Sequence, residues 1–345
     1  MLTRRILGSF LSATCGNCLG IPYIYMKSKD LLENSRRIGW TLSAPSCDME
    51  MCFSVIKTIA KYGFCLERIA QSHCQTVNEI YTDLDWVTAE CFGTPKSDAI
   101  SDDRYSAPQN FGSLCSNTLL TRLLPIIYAG IHWDEPTLLS QIEMYTQLTH
   151  NDAYVLDCAK IYGMCLWCIL NGKNRLETWD CLMHSTVLTN RDSVIVSSYF
   201  ERPICDGPNS THIGLSLQLA LYHYWHDTPY VAAVRSGILS GGATETHPAA
   251  IGALLGAAHS NRILPTAWRK ELEPDISETH TWRTRLKSAL AHLQTLAHYA
   301  VGPMPSSKLQ AATHWHAHRI DNSIRLSFSP SLSEREKPST EKRST

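Results

Sequence analysis

The sequence predicts an all-α protein, a compact bundle of many helices, and three observations support that fold class. Apolar residues recur at helical spacing along most of the 345-residue chain. Alternation at period two is scarce, and short connections between the apolar runs carry clustered breakers such as Gly93-Thr94-Pro95 and Gly207-Pro208. No strand–turn–helix with a phosphate-binding glycine motif is present, and no fixed-period repeat suggests a solenoid.

Taken in order, the first element follows Arg4 and Arg5 in the stretch ILGSFLSATCGNCLGIPYIY. Ser9, Ser12, Thr14, Gly16 and Asn17 interrupt its apolar run, and Pro22 follows. It reads as a buried, glycine-containing first helix, because a secretion signal needs roughly 7–15 continuous apolar residues. Residues 49–73 place Met51, Val55 and Ile59 at four-residue steps, then Phe64, Ile69 and Ala70, and predict one long helix. Further helical runs fall at 115–130, 134–147, 152–171, 213–225, 228–239, 247–260, 265–272 and 280–300. Gly93-Thr94-Pro95, Asn171-Gly172 and the stretch Pro203 to Asn209 mark connections. One domain is expected over residues 1–322, followed by a disordered polar tail over 323–345, where Ser, Pro and alternating charges leave almost nothing to bury.

Composition narrows the function classes. Lys and Arg number 31 against 32 Asp and Glu, a formal charge of -1, so net charge points to no nucleic-acid partner. No apolar stretch reaches the roughly 20 residues that a membrane span requires, so no membrane partner is expected and the location expected is the cytoplasm. Thirteen cysteines is an odd number, which suits free thiols in a reducing compartment. Cys15-x-x-Cys18 and Cys165-x-x-Cys168 have a spacing that zinc sites use, yet both fall in apolar helical segments where that spacing simply faces the core. His314 and His318 share a helical face, with Asp321 the one nearby acid, and read as a solvated helix end.

Two polar segments interrupt the apolar pattern. Ser46-Cys47-Asp48-Met49-Glu50-Met51 precedes the predicted long helix, and Ser46 or Asp48 suits its N-cap. Gly241-Gly242-Ala243-Thr244-Glu245-Thr246-His247 precedes PAAIGALLGAAH, with Thr244 or Thr246 as the corresponding cap and the paired glycines as a tight turn.

These segments, with three others in consistent order, resemble the ADP-ribosylglycohydrolases, the family that includes dinitrogenase-reductase-activating glycohydrolase and J1-crystallin. GGATETHPAAIGALLGAAHSNRILPTAW, residues 241–268, is similar to the family's GGDTDT, its GALLGA helix and an I-P-x-x-W segment. Gly16-Asn17-Cys18-Leu19-Gly20 resembles G-D-A-L-G, and Ser46 to Met51 resembles T-D-D-T-x-M. Asn117-Thr118-Leu119-Leu120-Thr121-Arg122, ahead of Pro125, resembles N-G-x-x-M-R, and Thr149-His150-Asn151-Asp152 resembles the T-H segment that opens the next helix. The resemblance spans roughly residues 4–300. It implies an orthogonal, many-helix bundle of the ADP-ribosylglycohydrolase type and, in active members, two Mg²⁺ ions held by the early and late acidic motifs. It also implies hydrolysis of the bond between ADP-ribose and a side chain or small acceptor.

Carried over residue by residue, the resemblance implies a reduced site. Ser46 and Thr246 keep hydroxyl oxygens, and Asp48 and Glu245 keep carboxylates. Cys47 stands where relatives carry aspartate, and a soft thiol is a poor Mg²⁺ ligand. Ala243 replaces an aspartate outright, Asn17 replaces the acid of G-D-A-L-G, and Ile24 falls about where relatives place a glutamate. The leading expectation is therefore a catalytically degenerate member without the two-magnesium centre. Ser46, Asp48, Glu245 and Thr246 would be residual ligands for Mg²⁺ at reduced stoichiometry or affinity. Asn117, Arg122, His150, Gly241 and Gly242 would hold an ADP-ribose-like small molecule or an ADP-ribosylated protein, with helix starts and glycines cradling phosphate. The alternative is an active hydrolase with an altered or single-metal site, in which Asp48 or Glu245 acts as general base. A third reading makes Cys47 a nucleophile served by His150 or His247. Capping is the competing explanation for Asn117 and for the Thr149–Asp152 cluster, and a buried acid is a structural partner for Arg122.

Overall fold

The computed structural model describes residues 1–79, 86–92, 115–189, 192–207, 210–273 and 281–296. The Gly93–Pro95 connection, His314 and His318, and the 322/323 boundary with its tail lie outside these residues. The described residues all fall within one unit, Met1–Pro305. The first helix, α1 (Leu2–Gly20), is followed by a 3₁₀ turn at Ile21–Tyr23 and a short α2 (Ser28–Glu33). Next come α3 (Cys47–Tyr62), α4 (Leu66–Glu79), α5 (Trp86–Phe92), α6 (Thr118–Arg122) and α7 (Leu124–Ala129). The middle of the chain forms α8 (Glu135–Thr146), α9 (Ala153–Leu170), α10 (Arg175–His184) and α11 (Ser197–Phe200). The rest forms α12 (Ile213–Trp225), α13 (Tyr230–Leu239), α14 (Thr246–His259), α15 (Thr266–Glu271) and α16 (Trp282–Leu296). Strand-like pairing among the described residues is limited to one isolated bridge, Ser116 to His212. The fold is all-α.

The predicted helix over 49–73 is two helices. Gly63 ends α3 at φ +76°, donating its N–H to the Ile59 carbonyl at 2.8 Å, and α4 starts at Leu66. The apolar period runs on across that break, which is why the sequence pattern hides it. The run at 115–130 divides where Pro125 opens α7.

Helix α1 is a core element packed lengthwise against α14. Small residues set that packing: a Cβ added at Gly8 would lie 2.5 Å from the Gly256 carbonyl oxygen, and one at Gly16 would lie 2.3 Å from that of Pro248. At Gly20 the distance to the Thr244 carbonyl oxygen would be 1.8 Å. Backbone therefore meets backbone along the whole seam. The α9 helix is long and apolar enough to cross a membrane by length and composition, a correction to the expectation that no stretch is. It lies 72% buried inside the protein, with Asp152 capping its start by accepting from the N–H groups of Tyr154 and Val155. All thirteen cysteines are free thiols.

Candidate functional site

The seam between α1 and α14 runs into the segments that the sequence singles out. Asn17, in the last turns of α1, joins two of them. Its side-chain carbonyl accepts the Ser46 N–H at 2.8 Å, and its amide donates to the Ser46 hydroxyl at 3.0 Å and to the Glu245 carbonyl at 3.3 Å. The start of α3 and the start of α14, about two hundred residues apart in sequence, are thus tied through one buried amide. Ser46 occupies the N-cap position of α3 without a side-chain cap bond, because its hydroxyl faces Asn17 instead. Asp48 and Glu50 lie in the first turn of α3, where the helix dipole favours negative charge.

The carboxylate of Asp48 meets a cation that belongs to the protein. Arg122, at the end of α6, places its Nε 3.3 Å from Asp48 Oδ1, and the two side chains are 1% and 8% exposed. This is the buried acid that the sequence offers as a structural partner for Arg122. Glu50 faces away from this pair and forms a two-pronged ion pair with Arg285 of α16, at 2.8 and 2.7 Å. Cys52, one turn further along α3, donates to the Thr121 carbonyl at 3.1 Å, and burial pushes its thiol well up.

On the α14 side, Thr246 donates its hydroxyl to Glu245 Oε1 at 3.1 Å, and Thr244 donates to the Gly20 carbonyl at 2.8 Å. Neither threonine supplies a side-chain cap, and Glu245 occupies the N-cap position of α14. Gly241 and Gly242 adopt φ +78° and +69°, and their N–H groups donate to the carbonyls of Ile238 and Met26 at 3.1 Å each. Gly241 thus donates back to the end of α13 and Gly242 to the segment after α1, and both backbone donors have partners within the protein. The first turn of α14 is engaged likewise, since Thr246 and His247 both donate to the Ala243 carbonyl and Pro248 has no N–H. The Tyr25 N–H donates to the Gly242 carbonyl at 2.8 Å, which brings the neighbouring Ile24 beside the late motif.

A second polar chain runs behind α14. Asn117 donates to the Ser216 hydroxyl at 2.8 Å, and Ser216 shares a hydrogen bond of 3.0 Å with Nδ1 of His247. Asn117 makes no side-chain cap for α6, and its Oδ1 has no hydrogen-bond partner among the described residues. His247 is buried, which lowers its pKa to about 4, with a hydrogen bond to the Gly241 backbone acting the other way. His150 is buried at the junction of α8 and α9, with Nδ1 hydrogen-bonded to Thr149 at 2.8 Å. Cys47 is 3% exposed, which removes the solvent access that a reactive thiol needs.

Magnesium sets a demanding test of these donors, since it takes oxygen ligands in near-octahedral geometry. Asp48 already faces a guanidinium, one Glu245 oxygen already accepts from Thr246, and Ala243 contributes a buried methyl group. Among the described residues no group of three or more His, Cys, Asp or Glu is placed to hold a metal. The donors present do not fit a two-magnesium centre.

The sequence is matched over residues 1–300 by the model of the ADP-ribosylglycohydrolase family. The chain belongs to that family. A protein of Acanthamoeba polyphaga mimivirus named "Putative ADP-ribosyl glycohydrolase" is 24% identical over 302 residues, which cover 78% of this chain and 90% of that one. A solved structure described as an ADP-ribosylglycohydrolase-related protein complex superposes with a TM-score of 0.66 at 19% identity. It covers 86% of this chain and 99% of its own, and so shares the fold. Of the residues singled out from sequence, Asn17, Ser46, Glu245 and Thr246 form linked contacts, Asp48 and Arg122 form a pair, and Asn117 joins α14 through Ser216. The sequence singles out neither Ser216 nor Arg285, and it gives Asn17 only the part of a lost acid. Their partners lie far away in the chain, so no local pattern marks them.

Proposed function

We propose that this ADP-ribosylglycohydrolase family member is catalytically degenerate and keeps the site around α3 and α14 as a metal-independent binding site. The ligand would be an ADP-ribose-like small molecule or an ADP-ribosylated protein. The observation that carries this reading is the buried methyl group of Ala243, which stands where the family resemblance implies a metal-ligating aspartate and supplies no oxygen. The buried Arg122 guanidinium faces Asp48, the carboxylate retained in the early motif. A buried polar atom adds to it: Asn117 Oδ1 lacks a partner among the described residues, and leaving a buried polar group unpaired costs about 1–3 kcal/mol. A ligand hydroxyl or amide meeting it would recover that cost. The thirteen free thiols suit a reducing location such as the cytoplasm.

The test is release of free ADP-ribose from a panel of ADP-ribosylated proteins and O-acetyl-ADP-ribose, with and without Mg²⁺, alongside calorimetric binding of ADP-ribose in EDTA. No turnover, with binding unchanged by EDTA, is the expected result. Magnesium-dependent turnover that disappears in both Asp48→Ala and Glu245→Ala would overturn it in favour of an active hydrolase with a reduced site.

A further inference from the structure

A basic face adjoins the late motif and is held to it by backbone hydrogen bonds. Tyr25, 68% exposed, holds φ +63°, a left-handed conformation uncommon for an aromatic residue. Its N–H donates to the Gly242 carbonyl and the Gly242 N–H returns to the Met26 carbonyl, at 2.8 and 3.1 Å. Ser28 then fixes the start of α2, with its N–H on the Asp206 carboxylate at 2.8 Å and its hydroxyl on the Leu239 carbonyl at 2.7 Å. Beyond α2, Arg235 of α13 donates to the Ser35 carbonyl at 3.2 Å and lies over the Trp40 ring, 5.4 Å from its centre. Trp268 of α15 donates to the Trp40 carbonyl at 3.2 Å. The segment from Tyr25 to Trp40 is thus pinned at both ends. Lys27, Arg36 and Arg37 are exposed on it and make no ion pair among the described residues, and Arg235 stands exposed beside them. Glu33 is already paired with Lys29 at 3.9 Å, and Asp30 is the one other acid between Met26 and Trp40. Met26 and Leu32, 38% and 52% exposed, add apolar surface between the charges. The whole chain is balanced at -1, so this excess of positive charge is local.

We propose that this face docks an acidic stretch of a protein partner beside the site at the starts of α3 and α14. Resting on the binding function proposed above, it selects the ADP-ribosylated protein as ligand over the free small molecule. Guanidinium groups take carboxylates through paired hydrogen bonds, and clustered arginines are a recurring way to read acidic segments. Such a surface also speeds the encounter with an acidic partner and turns basic ones away. Nucleic acid suits the face less well. Its backbone presents an unbroken line of charge, whereas Asp30 and Glu33 interrupt the cations here, and Met26 and Leu32 offer contacts to peptide side chains.

The test is fluorescence anisotropy of the full chain at low salt. The probes are a short ADP-ribosylated peptide rich in glutamate, the same peptide with glutamine for glutamate, its unmodified acidic form, and an oligothymidylate of equal charge. Binding of the acidic peptide about tenfold tighter than its glutamine form, in both modified and unmodified states and fading as salt rises, is expected. Arg36→Glu combined with Arg37→Glu should remove that preference with the circular dichroism unchanged. Equal affinity for the acidic and glutamine peptides would overturn the proposal, as would a preference that survives the charge reversal or tighter binding of the oligothymidylate. Free ADP-ribose, titrated in parallel, separates the two readings. If it does not bind while the acidic preference stands, the function proposed for the site fails and the docking face does not.

Discussion

Along the α1–α14 seam the chain leaves no room for change, whereas at the end of that seam the polar groups have been exchanged freely. Gly8, Gly16 and Gly20 meet carbonyls so closely that no side chain fits. A few ångströms on, an acid of the family pattern is Asn17, another is Cys47 and a third is Ala243. The contrast teaches that the fold and the chemistry are specified by different atoms. The seam depends on the absence of side chains, which any function would require. The site depends on charge, and there the Arg122 guanidinium faces the Asp48 carboxylate.

The largest effect should come from the seam. Gly20→Ala puts a methyl group 1.8 Å from the Thr244 carbonyl oxygen, so the helices must part. A loss above about 4 kcal/mol, or failure to fold, is expected in urea denaturation. A stability change below about 1 kcal/mol would show that the seam yields and would remove one side of the comparison.

Breaking the site's ion pair comes next. Arg122→Ala strands Asp48 at a buried position and should cost about 3–5 kcal/mol in the same assay. If the double variant Arg122→Leu with Asp48→Leu recovers most of that loss, the pair serves function more than stability.

A third expectation concerns acid. His247 is buried, with a pKa lowered to about 4 from an ordinary 6.5, so its neutral form is the folded one. Its contribution is complete above pH 6.5 and is lost as pH falls through 4, by about 3 kcal/mol over that window. His223, likewise lowered to about 4 by burial, adds in the same direction. Melting temperatures between pH 7 and 4 should fall less steeply in His247→Gln than in the unaltered chain; equal slopes would contradict the assignment.

The smallest effect is assigned to the link between the two motifs. Asn17→Ala leaves the Ser46 N–H and the Glu245 carbonyl without their partner, a loss of about 1–3 kcal/mol. Asn17→Asp sharpens the comparison, because it restores the acid of the family pattern but removes the amide donor.

Legibility in the sequence follows the same division. The apolar helices α9, α12 and α14 are plain from their composition, and so is the buried, small-residue character of α1. Helix α10 goes unread because its inward face is little more than Thr178 and Leu182, although Asn174 and Glu177 carry the spacing of a capping box. The α3–α4 break is hidden because Phe64, Leu66 and Ile69 continue the period across Gly63. In the site, the losses at Cys47 and Ala243 are legible as letters. What replaces them is not: Asn17 acts on residues 29 and 228 positions away, and such pairings exist only once α1, α3 and α14 are packed together.

Magnesium stoichiometry tests the central claim most directly. Equilibrium dialysis of the folded chain against millimolar Mg²⁺, with metal analysis of both compartments, should find at most one weakly held ion per chain, unchanged by Asp48→Ala. Two ions bound at full occupancy, and lost in Asp48→Ala or Glu245→Ala, would contradict the proposed loss of the two-magnesium centre.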